Sequence, residues 1–484
     1  MRPVRVELAI EDLAPGGEGM GRDGARLVFV PFTAPGDRAL VEVAAGQGPG
    51  HAVLRRLVEP GRDRVEPPCR HFGPGGPAPP LPPGQADPPV PERSSEEPDR
   101  LCGGCEWLHL RYQAQFARKA RALAETLQRI GRLEPGSYRL LPVVPSPQPL
   151  RYRSRAKFHL DRPSGRLAFF RRRSHEPVRL AECHLLEPAL DALRAAVGPA
   201  LCEARLAARE VTLEWSASDG RGAAALSLPA ISPAVMERTE RLLSAVPSLA
   251  GVVLLAEGAP PRLLGDPVLR HERWPGEPGR GLSRSRPDAF RQANRLANAQ
   301  LVEAALDLLR PDGEAVLELF CGAGNFTGPL ALRARSVAAV EAQGPALELA
   351  CQDVGDLASA GAGGGACPGA RGECGGASSP HVDVRFFAGD ALGLVRAFAR
   401  EGGPAARRFG AALLDPPREG ARGVGPALRD LGVPRAVYVS CDPATLARDL
   451  AGCLEAGFRV TAVQPVDMFP QTHHVEAAAL LERP

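Results

Sequence analysis

No run of about 18 consecutive apolar residues occurs in this 484-residue chain, which excludes a hydrophobic membrane-spanning helix at the level of sequence. The first residues, MRPVRVELAI, lack the apolar core and small-residue cleavage site of a secretory leader. A cytoplasmic location without a membrane partner is therefore the expectation. Net charge is scarce as well: +3 is too little to announce a nucleic-acid partner by itself. No GxxxxGK[ST] lysine is present, which excludes a P-loop, and the histidines show no zinc spacing.

What is present is a globular composition, 44% hydrophobic and 24% charged, in a length that suggests roughly three domains. Eleven cysteines without a leader argue against a disulfide framework and toward buried thiols, metal ligands or a nucleophile. Residues 1–60 alternate apolar and polar (VRVELAI, RLVFVPF, ALVEVAA) between Gly-rich turns, which predicts a small β-barrel. Residues 61–275 predict a central α+β domain, interrupted over 73–100 by a Pro-, Gly- and acid-rich stretch unable to bury a core. Within that domain RYRSRAKFHL and FFRRRSHEPVR interleave arginines with aromatics. They suit phosphate contacts with stacking, or simply a solvated, salt-bridged hairpin.

From residue 276 to 484 strand, Gly-rich turn and helix alternate, which predicts a parallel, doubly wound α/β sheet carrying a Gly-rich surface insertion at 358–380. In such sheets ligands sit beyond the carboxyl ends of the strands. There FCGAGNF places Gly322 and Gly324, which allow close backbone approach. Glu341 ends SVAAVE as a ribose-binding acid or as an ordinary acid beside a helix start. Asp390 and Asp415 end two further strands. Acids at strand ends without a phosphate-binding lysine indicate an adenosine-type cofactor, and S-adenosylmethionine fits. Asp415 opens DPPR, a rigid extended loop against which a base can lie.

Cys441 ends RAVYVSC just before a predicted helix. It reads as a buried strand-end thiol or as a nucleophile, and a helix N-terminus favours the thiolate. Thiolate attack at carbon 6 of a uracil turns carbon 5 into a methyl acceptor, after which a base must remove the carbon 5 proton. Glu476 in HHVEAAALLER is the candidate base, with His473 and His474 less suited. Cys69, Cys102 and Cys105 in CGGC, and Cys183 form a second constellation of four thiols, suited to zinc, to an iron–sulfur cluster, or to no metal at all.

LFCGAGNFTGPLA, LLDPPREGA, YVSCDPATLARDL and VQPVDMFPQTHHVEAAALLER together resemble the cofactor, DPPR, nucleophile and base motifs of the bacterial RNA 5-methyluridine methyltransferases. CRHFG with CGGCEWLHLRYQAQ resembles the cluster-binding segment of the iron–sulfur branch that modifies 23S ribosomal RNA, and YRSRAKFHL a central-domain segment. The resemblance spans nearly the whole chain. It implies a class I methyltransferase domain behind an N-terminal TRAM barrel that binds RNA, with Cys441 as nucleophile and Glu476 as base. It also implies S-adenosylmethionine contacts at Gln292, Phe320, Asn325, Glu341, Asp390 and Asp415, and a 4Fe-4S cluster on Cys69, Cys102, Cys105 and Cys183. Glu318 stands where the family usually has Asp, Asp442 where it has Asn, and Gly328 where it has Leu. The expected partner is ribosomal or transfer RNA, its uridine flipped from the stack so that both faces are open, and the expected state is a monomer. The competing readings are an amino-group methyltransferase, which leaves SCDPAT unexplained, and a non-catalytic RNA-binding factor.

Overall fold

The computed structural model describes residues 4–44, 48–73, 102–274, 281–359, 374–378, 383–401 and 409–483. The insertion expected at 73–100 lies outside them apart from Gly73, as does most of 358–380, including Cys367. Among the described residues no helix is long and apolar enough to cross a membrane.

Five strands, Val4–Leu13, Gly19–Asp23, Arg26–Val30, Arg38–Val43 and Gly50–Glu59, close into the expected barrel. The alternation read from the sequence points Leu8, Ile10, Val28, Val30, Val41 and Val43 inward. The first strand serves two partners: Val4–Ala9 pairs with Arg38–Val43, and Ile10–Leu13 with Gly19–Gly21 across a bulge between Ile10 and Asp12. At that switch Gly21 is required, because a Cβ there would lie 2.5 Å from the Ala9 carbonyl oxygen. Closure leaves the barrel without unpaired edges.

The central sheet has seven strands in the order Arg262–Gly265, Leu249–Leu255, Arg221–Ser227, Glu210–Ser216, Arg155–Asp161, Arg166–Phe170, Pro177–Val178. Helices Pro188–Glu203 and Pro233–Ala245 cover it. The C-terminal sheet has nine strands. Its heart is five parallel strands in the order Asp383–Ala388, Ser336–Glu341, Ala315–Leu319, Ala411–Leu414, Arg435–Ser440. Each is buried on both faces: Leu317 and Leu414 feed one apolar cluster and Val316 and Leu413 the other, which explains their unbroken hydrophobic runs. Strand order reverses between Ala315–Leu319 and Ala411–Leu414, and the crevice of a doubly wound sheet opens at the carboxyl ends of such a pair.

Three readings need correction. The sheet is not parallel throughout: Glu476–Glu482 inserts antiparallel between Arg435–Ser440 and Arg459–Val466, because a short loop, 467–475, can join only antiparallel neighbours. The helix Tyr112–Arg129, assigned above to the central domain, buries Leu123 and Leu127 in the core of the C-terminal sheet beside helix Pro443–Glu455, and Arg139–Leu140 extends that sheet. Its apolar stripe fixes that it packs, but not against which sheet. Finally, Cys374–Ser378 of the Gly-rich insertion is an antiparallel edge strand and not a loop.

Candidate active site

The turn after Ala315–Leu319 carries Phe320, Gly322 and Gly324 at φ of +63°, +57° and +85°. A side chain at Gly324 would also press to 3.2 Å on Ala350, so glycine is needed there for conformation and for space. Across the turn the Glu341 carboxylate accepts from the amides of Gly322 (2.9 Å) and Gln343 (2.8 Å). One acid thus anchors the Gly turn and borders the crevice.

The part-buried Asn325 amide pairs in both directions with Asn298, at 2.8 and 3.1 Å. Asp390 is exposed and caps helix Ala391–Glu401 through the Gly393 amide at 2.6 Å. Gln292 is buried two positions before Asn294, whose side chain donates to Ser146 Oγ and the Met468 carbonyl, both at 3.0 Å.

Asp415, Cys441 and Glu476 come together. Burial holds the Asp415 carboxyl up at about 7. Glu476, 1% exposed, is held at about 8 by burial and then by the charge of Asp415, against the pull of Arg418. Burial, then Glu476, lift the Cys441 thiol to about 11, while Arg418 opposes by charge and hydrogen bonding. In the free protein burial and Glu476 thus work against the lowering expected from a helix N-terminus. Asp442 caps helix Pro443–Glu455, its carboxylate taking the amides of Ala444 (2.8 Å) and Thr445 (2.9 Å), so the donors that would favour a thiolate are occupied. Burial also holds His474 down at about 4, neutral at physiological pH, which fits neither an acid nor a cation role.

Sequence reasoning passed over Arg418 and Asp449. Asp449, 4% exposed, accepts from Tyr438 Oη and the Ala421 amide, each at 2.7 Å, and so pins the loop immediately after Arg418. Gly420 is obligatory there, at φ +76° with a virtual Cβ 2.2 Å from that carboxylate. The available signal was an acid on the apolar face of a helix, among Leu446, Leu450 and Cys453.

Glu318, 1% exposed, finds no well-aligned hydrogen-bond donor for either oxygen among the described residues, and burial raises it to about 8 against a smaller opposing pull from the Thr327 hydroxyl. A carboxyl raised in the folded state contributes stability that is complete below its ordinary value of 4.5 and disappears as pH climbs through about 8. Glu318→Gln is accordingly expected to raise the melting temperature of the free protein at pH 9 while changing it little at pH 5. The difference should be of the order of 4 kcal/mol, reduced by coupling to Asp415. An equal loss at both pH values in a thermal melt would refute this.

Cys69, Cys102, Cys105 and Cys183 line one small cavity with Arg153 and Phe169. Burial raises Cys69 to about 11 and Cys102 to about 12, and the neighbouring thiols add to both. Among the described residues no three His, Cys, Asp or Glu side chains converge closely enough for a single metal ion, so a preformed zinc site is absent there. Arg153 Nε at the cavity has no hydrogen-bond partner among the described residues.

The profile described as tRNA (Uracil-5-)-methyltransferase matches residues 280–358 and 387–484, and that of the TRAM domain residues 4–47. The 23S rRNA (uracil(1939)-C(5))-methyltransferase RlmD of Alkalilimnicola ehrlichii is 31% identical over 486 residues, covering 99% of this chain and 96% of its own. Its namesake in Pseudomonas aeruginosa is 32% identical, with 99% and 94% covered. This chain belongs to the RNA uracil-C5 methyltransferase family. The fold agrees: the Pyrococcus abyssi tRNA (uracil-54, C5)-methyltransferase, solved with S-adenosyl-L-homocysteine, superposes at a TM-score of 0.65. It is 20% identical, over 98% of this chain and 99% of that one. In this family member the Gly turn, Asp415, Cys441 and Glu476 lie along the same edge of one sheet.

Proposed function

We propose that this enzyme methylates carbon 5 of a uridine in RNA from S-adenosylmethionine, with 23S ribosomal RNA as the first substrate to test, Cys441 as nucleophile and Glu476 as base. The observation that carries this reading is the joining of a thiol, a buried carboxyl and an arginine at the strand ends, electrostatically coupled to one another.

The crevice suits the cofactor. The sulfonium cofactor is a cation, and Glu318, Glu341 and Asp415 surround the Gly turn with acids. A bound cation would offset the burial that lifts Glu318 and Asp415, and the smaller repulsion of Asp415 on Glu318. Gln292, Phe320, Gly322, Gly324, Glu341 and Asp415 would hold it, with Asn325 shaping the turn through Asn298 and Asp390 shaping the helix it caps. S-adenosylmethionine supplies an electrophilic methyl group when bound.

Cys441 gives its proton to solvent water and adds through Sγ to carbon 6, and the electrons of the 5,6 double bond move toward oxygen 4. Arg418 stabilises the thiolate. Carbon 5 would take the methyl group, with S-adenosylhomocysteine as the leaving group. The Glu476 carboxylate then removes the carbon 5 proton, the double bond re-forms, and the bond from carbon 6 to Sγ breaks to release the thiolate. Each step needs the uridine clear of its stack. The test is incubation with unmodified 23S RNA and methyl-labelled cofactor, followed by digestion to nucleosides. Label in 5-methyluridine supports the reading, and label in a base amine would replace it.

We infer in addition that Cys69, Cys102, Cys105 and Cys183 hold a 4Fe-4S cluster. Four thiols line one cavity beside an arginine whose Nε has no hydrogen-bond partner among the described residues, a donor set and a countercharge that fit an anionic thiolate-ligated cluster. Bound there, it would tie together segments that otherwise meet through packing and a few hydrogen bonds, such as Cys102 N to the His71 carbonyl (3.1 Å) and the Ala181 amide to His71 Nε2 (3.0 Å). Protein isolated without oxygen should contain iron and sulfide in equal amounts, and Cys102→Ser should lose both. Zinc in their place would overturn the assignment.

A further inference from the structure

The loop 467–475, which delivers Glu476, is held largely from outside its own sheet. Its carbonyls at Phe469, Pro470 and Gln471 accept respectively from Lys119 Nζ (3.0 Å), Tyr152 Oη (3.1 Å), and the amides of Glu106 (3.0 Å) and Trp107 (2.9 Å). Glu106 and Trp107 directly follow Cys105. Gln471 sits in the left-handed region at φ +68°, a conformation a non-glycine residue keeps only where its surroundings impose it. Those surroundings are a closed pair of amides. The Gln471 backbone N–H donates to Gln115 Oε1 (3.0 Å), Gln115 Nε2 donates to the Gln471 side-chain Oε1 (2.9 Å), and Gln471 Nε2 donates to the Pro149 carbonyl (3.3 Å). Both glutamines are buried, at 0% and 6% exposure, where an unmade hydrogen bond would be costly. Gln115 Nε2 also donates to the Leu110 carbonyl (3.1 Å), which closes the link back to the cysteine-bearing segment. The barrel joins the same contact: Trp107 Nε1 donates to the Gly17 carbonyl at 3.0 Å, and a Cβ on Gly17 would stand 3.3 Å from His473.

We propose that Gln115 and Gln471 form a strut that positions Glu476, transmitting the placement of residues 102–111 to the carbon 5 deprotonation step. This rests on Glu476 being the base. Neither glutamine touches the reacting atoms; they are positioning residues, and the step they govern is breakdown of the adduct and not its formation, because Cys441 is held by a different helix and strand.

The test follows a single turnover on ordinary, uridine-containing RNA with S-adenosylmethionine, with the RNA-linked protein quantified by denaturing electrophoresis. In Gln115→Met, which keeps length and volume but makes neither amide bond, adduct should appear at a rate within about twofold of wild type. Turnover should fall by about 10- to 100-fold, the scale of an ångström-sized misplacement, so that adduct accumulates. Gln471→Asn, which tolerates the left-handed backbone but falls short of Gln115, should show the same split. Amide hydrogen exchange in 467–476 should rise in both, with the parallel strands unchanged. Adduct formation and turnover falling together, or neither changing, would overturn the strut. Glu476→Gln run in parallel separates the two claims: if that variant accumulates no adduct, it is the base assignment that has failed.

Discussion

Cys441→Ala will bind S-adenosylmethionine and RNA yet form no covalent complex with 5-fluorouridine-substituted RNA, whereas the wild-type enzyme will be trapped by it. Fluorine cannot leave carbon 5 as a proton, so a methylated adduct on the wild-type thiol has no exit. Without the sulfur there is no bond to carbon 6, carbon 5 stays a poor nucleophile, and methyl transfer should drop by about 10⁴-fold or more. The fold should hardly notice. Cys441 is only partly buried at the crevice mouth, and removal of one sulfur there costs less than the 2–5 kcal/mol range of large-to-small changes deep in a core. Denaturing electrophoresis decides between the outcomes. An adduct retained by the alanine variant would move the nucleophile elsewhere, and no adduct from the wild-type protein, with cofactor bound, would remove the covalent mechanism.

The pH dependence of trapping carries further information, because the free thiol is held at about 11. Trapping should accelerate steadily from pH 6 to pH 9 without levelling near neutrality, since in that range each added unit yields more thiolate. The rate-limiting species is made by the environment, and that environment was only partly legible in the sequence. Strand-end acids and the thiol at 441 could be placed because a doubly wound sheet sends the carboxyl ends of its parallel strands to one edge, so chain position alone predicts proximity. The balance of burial against charge could not be read that way. It depends on Asp442 consuming the helix donors and on Glu476 lying inward on an antiparallel strand, both consequences of packing.

The same distinction explains the helix Tyr112–Arg129. Its spacing of Leu123 and Leu127 declared a buried face, while the identity of the surface that covers it required the folded chain. The four cysteines are an intermediate case. CGGC is local and visible, but its meeting with Cys69 and Cys183 is achieved by the barrel and by the hairpin of the central sheet: the Gly103 amide donates to the Phe170 carbonyl at 3.0 Å. Gln115 and Gln471 were beyond reach altogether, since nothing in either residue's neighbourhood signals a partner so distant along the chain.

Glu476→Gln is expected to separate the two halves of the reaction. Glutamine is isosteric with the carboxyl it replaces and carries no charge, so the cavity is kept and the added repulsion on Cys441 is lost; adduct formation should proceed at least as fast as in wild type. Breakdown requires a proton to leave carbon 5, and the amide cannot take it. Turnover should therefore fall by about 10²- to 10⁴-fold, the usual worth of a general base, with methylated, protein-linked RNA accumulating on ordinary uridine substrate. In the wild-type enzyme the carboxyl must first ionise. Held at about 8, it is mostly protonated at pH 6, so the breakdown rate should rise close to tenfold per pH unit from there and level off above about 8. A bound cation would shift that plateau downward by stabilising the carboxylate. A glutamine variant that turns over normally, or one that never forms adduct, would each exclude Glu476 as the base, the first by showing that the proton leaves another way and the second by tying the residue to attack.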